Sequence, residues 1–200
     1  MCIDLLEMRG RPRKFQEHEM LEKAIDLFWE RGYEATSLDD LLLCMDLNKG
    51  SLYHFFGSKK ELFSRALDLF GERSSKTIEQ KIRSAIGPIE GIKKFFLELA
   101  NGENHQHLKG CFMGNSIAEL SSVDNHLKDK AIANLKALED LFCQYIDEAK
   151  RLKKLQTKED SRIISRYLLN LWNGINITRR IYPSAKVLKP LIEMQLSILK

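Results

Sequence analysis

The sequence predicts an all-α protein in which an N-terminal three-helix helix-turn-helix domain is joined by a long helix to a C-terminal helical domain. Three observations carry this. Apolar residues recur three and four apart along most of the chain, the spacing that lines one face of an α-helix. No run of Val, Ile and Thr alternates with polar residues as a half-buried strand requires. The breaks between periodic segments carry helix punctuation: glycines to stop, and Ser or Thr with an acidic residue three positions on to restart. Composition agrees, since 44% hydrophobic residues in a chain of 200 suffice to close a helical core.

The first helix is expected from Gln16 to Arg31, with Met20, Leu21, Ala24, Ile25, Leu27 and Phe28 on one stripe and Gly32 as its stop. Ser37 can cap a second helix while Asp40 returns a bond to the backbone; this helix runs from Leu38 to Met45 and turns Leu38, Leu41, Leu42 and Met45 inward. A break at Asp46-Leu47-Asn48 leads to a third, Lys49 to Phe56, whose Leu52 and Phe56 lie one turn apart. After Gly57, the box Ser58-Lys59-Lys60-Glu61 opens a long fourth helix toward Ile82. Two short helices separated by a tight turn and braced by a longer one are a helix-turn-helix, in which the third helix is free to enter a groove.

Beyond Ser84 the helical pattern continues. Gly87-Pro88 begins a helix carrying Ile89, Ile92, Phe95, Phe96 and Leu99, and a polar loop from Asn101 to Gly110 holds His105 and His107. A short helix over Cys111 to Leu120 and a long one over Asp124 to Leu152 follow. Thr157-Lys158-Glu159-Asp160 reads as a third capping box, opening a helix that ends near Tyr182-Pro183. The last segment, Ser184 to Lys200, is apolar at helical spacing, although Pro190 obscures where it starts. The domains are therefore set at 1–60, including a basic N-terminal arm, and 61–200.

Charge says less than its placement. Residues 1–64 hold 9 Lys and Arg against 12 Asp and Glu, a net −3, and the remainder 23 against 16, a net +7. Yet Arg9, Arg11, Arg13 and Lys14 form one basic arm, and Lys49, Lys59 and Lys60 flank the third helix. The four cysteines are far apart and suggest neither a disulfide framework nor a zinc site, so no metal or cofactor is expected. Met1 to Arg9 has neither the apolar core of a signal peptide nor a membrane span, which places the protein in the cytoplasm. No G-x-S-x-G, phosphate loop, G-x-G-x-x-G or H-E-x-x-H occurs, so the chain reads as no enzyme.

At the start of the third helix, Lys49-Gly50-Ser51 combines a cation, a residue without a side chain and a small hydroxyl, which suits close approach to double-stranded DNA. Tyr53 and His54 lie opposite Leu52 and can meet phosphates. Lys59 adds its charge to the free amides opening the fourth helix; Thr36 and Ser37 stand similarly before the second, and Arg11 and Arg13 can reach a minor groove. With Ala24-x-x-Leu27-Phe28, Gly32-Tyr33-x-x-Thr36-Ser37 and the block from Asn48 to Leu62, the stretch Arg11 to Leu62 resembles the DNA-binding domain of the TetR/AcrR family of bacterial regulators. Phe55 departs from it, standing where relatives often place a phosphate-touching histidine.

The resemblance implies a homodimeric transcriptional repressor, released from a palindromic operator by a small-molecule effector bound in a C-terminal ligand-binding and dimerisation domain. Paired amphipathic helices near the C-terminus suit a four-helix dimer interface, for which Ile164, Leu168, Leu191 and Leu196 are the candidates. Phe95, Phe96, Met113, Phe142, Tyr145 and Trp172 can enclose an apolar effector, with Asn115, Asn173 or Asn176 as polar anchors. Cys111 at a helix start offers an alternative, a thiol sensor of oxidants or electrophiles. A helical adaptor without DNA affinity is a further alternative, supported by the acidic balance of residues 1–64.

Overall fold

The computed structural model describes residues 13–101 and 108–200, with side chains from Glu17 onward. Among these residues there are nine α-helices and no strand: α1 (Arg13–Arg31), α2 (Leu38–Met45), α3 (Lys49–Phe56), α4 (Lys59–Arg83), α5 (Pro88–Glu98), α6 (Phe112–Leu120), α7 (Asn125–Arg151), α8 (Ser161–Ile181) and α9 (Ala185–Gln195). Short 3-10 turns at Leu99–Asn101 and Leu196–Ile198 follow α5 and α9. Two compact units divide the chain, 1–70 and 71–200, so that α4 begins in the first and ends in the second.

The first unit closes around a stripe from each helix. Ala24, Ile25 and Phe28 of α1 meet Leu41 and Met45 of α2, Leu52 and Phe56 of α3, and Leu62, Phe63, Ala66 and Leu67 of α4, all buried. The Phe28 and Phe63 rings stand edge to face at 4.8 Å, and Tyr33 leans on Phe63 at the same separation. Arg13 and Lys14, ahead of the expected start at Gln16, are already helical, so they belong to α1 and not to a free arm. Arg9 and Arg11 lie outside the described residues, as do His105 and His107.

In the second unit α5, α7, α8 and α9 enclose a core that includes Ile92, Phe96, Phe142, Ile146, Leu168, Ile175, Leu188 and Ile192. Helix α5 crosses the end of α4 so closely that a Cβ at Gly91 would stand 2.2 Å from the Ile82 carbonyl oxygen; only glycine fits. Pro190 lies inside α9, whose start is fixed at Ala185 because Ser184 Oγ accepts the Lys186 amide.

Two expectations are corrected here. Thr157 does not cap α8: its hydroxyl takes the Glu159 amide at 3.2 Å in a local turn, Asp160 stays extended and accepts from Arg162 N at 2.7 Å, and the helix begins at Ser161. The proposed dimer residues are mostly internal. Ile164, Leu168 and Leu196 are buried within the protomer and Leu191 is half-buried, because these side chains form the stripe that α8 and α9 turn toward their own core. A second stripe on α8, Ile163, Tyr167, Gly174, Ile177 and Ile181, faces outward or nearly so, with Ile177 55% exposed. On α9 the counterpart is Val187, Leu191 and Met194, with Met194 67% exposed, continued by Ile198 in the 3-10 turn that follows.

Candidate nucleic-acid interface

Local chemistry builds the α2–α3 pair. Ser37 Oγ accepts the Asp40 amide at 3.1 Å and donates to Asp40 Oδ2 at 2.6 Å, while the Ser37 amide donates to the same carboxylate oxygen at 2.9 Å. Those hydrogen bonds, then the Arg31 guanidinium at 2.8 Å, hold the Asp40 carboxyl below the usual carboxylate range. Asp46 closes α2 in the left-handed conformation, φ 55°, from which the Leu47 amide reaches back to the Leu42 carbonyl at 2.9 Å. Asn48 is extended and its Oδ1 accepts the Ser51 amide at 2.8 Å, so α3 has a side-chain cap of its own. Gly57 at φ 72° then stops α3 after eight residues.

Helix α3 is sharply two-faced. Leu52 and Phe56 are buried, while Lys49 and Tyr53, one turn apart, and Gly50 and His54, the adjacent row, are exposed, Tyr53 by 46%. Ser51 lies half-buried beside them, its hydroxyl clear of the cap its amide makes. A Cβ built on Gly50 would meet only Asn48 Oδ1, at 3.4 Å, so nothing within the protein demands glycine there. An α-helix with its side chains is about 10 to 12 Å across, which matches the width of a B-DNA major groove, about 12 Å.

Not every expected contact is presented this way. Thr36 is 0% exposed and its Oγ1 donates to the Gly32 carbonyl at 2.6 Å; the side chain holds the α1–α2 turn and has no surface to offer DNA. Ser37 is exposed, but its hydroxyl is engaged in the cap. The Lys59 ammonium stands 4.5 Å from the centre of the Tyr33 ring, a cation–π contact at the start of α4. Arg13 is in α1, and nothing is described of its side chain.

One positioning residue escaped the sequence. Arg65 on α4 donates to the Phe55 carbonyl at 2.9 Å, lies 5.0 Å from the Phe56 ring centre and pairs with Glu17 of α1. It therefore ties the end of α3 to α4 and α1. The available signal was its place at the edge of the inward stripe Leu62, Ala66, Leu69, three residues after Leu62.

The expected effector-binding rings are packed on one another. Phe95 stacks on Trp172 at 5.6 Å and 17°, and Phe96 meets Phe95 and Phe142 at 5.2 and 5.6 Å. Met113 is buried, and Asn115 Nδ2 donates to the Lys109 carbonyl at 2.9 Å. Cys111 is buried as the cap of α6, its Sγ accepting the Gly114 amide at 3.3 Å and the Trp172 indole N–H at 3.4 Å. Of these candidates, Tyr145 lines a cleft of about 550 Å³. Asn176 Oδ1 accepts from the Arg179 guanidinium at 2.5 Å; burial pushes that guanidinium down to about 10, and nothing in the sequence announced a buried cation. Among the described residues no group of His, Cys, Asp and Glu could hold a metal ion, and no helix is long and apolar enough to cross a membrane.

With this geometry in place, the chain can be compared with known proteins. Residues 20–73 match the family described as bacterial regulatory proteins, tetR family, and residues 88–194 match the tetracyclin repressor-like C-terminal domain. An uncharacterized HTH-type transcriptional regulator of Bacillus subtilis (strain 168), YezE, is 28% identical over 95% of this chain and 99% of its own. The HTH-type transcriptional repressor ComR of Escherichia coli (strain K12) is 33% identical over 68% of each. Among solved structures, reduced NemR of E. coli superposes with a TM-score of 0.84 at 19% identity, covering 92% of this chain and 97% of that one. A cysteine mutant of the regulator CifR, complexed with double-strand operator DNA, superposes with a TM-score of 0.82 at 24% identity, covering 96% and 100%.

Proposed function

This chain belongs to the TetR family of bacterial regulatory proteins, and on that premise we propose that a symmetric pair of its copies represses transcription by seating α3 twice in one operator. It is a DNA-binding regulator and not an enzyme. One observation carries the assignment of the reading surface: Lys49, Gly50, Tyr53 and His54 form the open face of a helix whose other face is fully buried. Lys49 reaches a guanine edge or a phosphate, Gly50 brings the backbone to base edges, and Tyr53 and His54 meet phosphates. Ser51 adds a contact on this surface, and Arg11 reaches into a minor groove.

The outward stripes of α8 and α9 pair two protomers, since Ile163, Ile177, Ile181, Val187 and Met194 are apolar side chains left in water on neighbouring helices. A two-fold pair implies a palindromic operator with half-sites roughly 34 to 36 Å apart. A cytoplasmic location follows from that task. An effector acts by binding one separation of the two α3 helices more tightly than another. Regulation through Cys111 is a second reading, favoured by the two N–H donors at its sulfur and opposed by its burial.

The test is selection of bound duplexes from a random pool. The expected product is an inverted repeat with centres one turn apart, lost when Lys49 and Tyr53 are both replaced by alanine. Recovery of an unchanged repeat by that double variant would contradict the assignment.

A further inference from the structure

We propose that Arg65 of α4 is a positioning residue for operator recognition: it fixes the attitude of α3 in the groove without touching the duplex. The inference rests on the reading of α3 as the helix that enters the operator. The apolar anchors of α3, Leu52 and Phe56, lie one turn apart on a single line along the helix, and both are buried. Apolar burial is non-directional. Two side chains in line therefore decide which face of α3 is covered and leave its roll and tilt about that line loosely held. A directional contact is needed to settle them.

Arg65 supplies it from three sides. Its Nη1 donates to the Phe55 carbonyl at 2.9 Å, its guanidinium carbon stands 5.0 Å from the centre of the Phe56 ring, and its Nη2 pairs with Glu17 of α1. The Phe55 carbonyl belongs to the last turn of α3, where carbonyls have no partner within the helix and the negative end of the helix dipole lies. A cation is favoured there, and the bond is charge-assisted. Because a guanidinium is planar and presents its donors in a fixed fork, contacts at Nη1, at Nη2 and on its face hold one rigid plane against α1 and α3 together. Both terminal nitrogens are thereby engaged within the protein. Lys49 stands at the other end of α3, six residues before Phe55 and about 9 Å along the axis. A tilt of about 10°, near the limit for a well-held binding site, displaces Lys49 by about 1.6 Å when it pivots at Phe55. Hydrogen bonds to base edges tolerate about 0.5 Å. Contacts that only neutralise phosphates survive such a shift, and base contacts do not. Arg65 therefore governs the preference for operator over other duplex and leaves general affinity for DNA alone.

Two variants of the full-length protein test this. Arg65→Met keeps an apolar stem and removes the donors; Arg65→Lys keeps a charge that can reach one partner at a time. Fluorescence anisotropy with the selected operator and with a scrambled duplex of the same composition, across a salt series, measures the preference. Amide hydrogen exchange of the DNA-free protein measures the hold on α3. Arg65→Met should bind the operator about tenfold more weakly and bind the scrambled duplex as the parent does, with the same salt slope. Its α3 amides should exchange faster while those of α2 keep their rates. Arg65→Lys should fall between parent and Arg65→Met, and it carries the test if Arg65→Met does not fold. An unchanged preference with unchanged exchange in α3 would overturn the role. So would equal losses on both duplexes with a salt slope flatter by about one unit, the mark of a phosphate contact made by Arg65 itself. Faster exchange in α3 with full operator preference would mean that Arg65 holds a helix that reads no bases, and the reading of α3 would fail instead.

Discussion

Gly50→Ala separates the two reasons a glycine can stand in a helix. In α3 the new methyl would meet Asn48 Oδ1 at 3.4 Å, an ordinary contact, and no other atom within 4 Å. Alanine is better than glycine inside a helix by about 0.5 to 1 kcal/mol, with the lower figure apt for the second residue of α3. The variant should therefore melt at the same temperature as the parent or slightly above it. Against DNA the sign reverses. A methyl forced into a close-packed contact costs about 1 to 3 kcal/mol, which is about 5- to 150-fold in affinity. Thermal melting and fluorescence-anisotropy titration with the selected operator, at one salt concentration, read both effects. A variant equally or more stable with undiminished affinity would refute the claim that α3 comes within backbone distance of the bases.

Further outcomes follow from the same geometry. Asp46→Gly should stabilise the protein by about 0.5 to 1 kcal/mol in denaturant unfolding, because it relieves a left-handed residue that bears a side chain. Asp40 has its pKa lowered in the folded state, so its stabilising effect is complete above about pH 4 and is lost as pH falls through the depressed value. Acid titration of unfolding should accordingly show a shallower loss in Asp40→Asn than in the parent, from a lower starting stability. Leu168→Ala should cost about 2 to 5 kcal/mol as a core cavity, whereas Ile177→Glu should leave protomer folding intact and shift sedimentation toward the monomer. Cys111 should react with iodoacetamide much more slowly in the native than in the unfolded protein, since its sulfur is buried; equal rates would revive the thiol reading.

What the sequence disclosed and what it hid divide along a physical line. The bounds of α2 and α3 could be read because Ser37, Asp46, Asn48 and Gly57 act on backbone groups within four residues of themselves. Thr36 was misassigned because whether a hydroxyl faces water or the Gly32 carbonyl is decided by how α1 and α2 meet. Helix α8 carries two apolar stripes, and periodicity does not say which one the rest of the chain covers; Leu168 is buried in the protomer while Ile177 is 55% exposed. The aromatic set was recognised as apolar, but whether rings enclose a space or fill it depends on packing, and Phe95 and Trp172 stack.

The salt dependence of operator affinity examines the open face of α3 most directly. For a surface that neutralises phosphates, log K falls linearly with log salt, each phosphate contact contributing about 0.9 to the slope. Lys49→Ala with Tyr53→Ala should weaken specific binding by at least tenfold, roughly one to two bonds' worth, and flatten the line by about one unit if Lys49 holds a phosphate. An operator-binding line that the double variant reproduces in both height and slope would show that the duplex is held by some other part of the molecule.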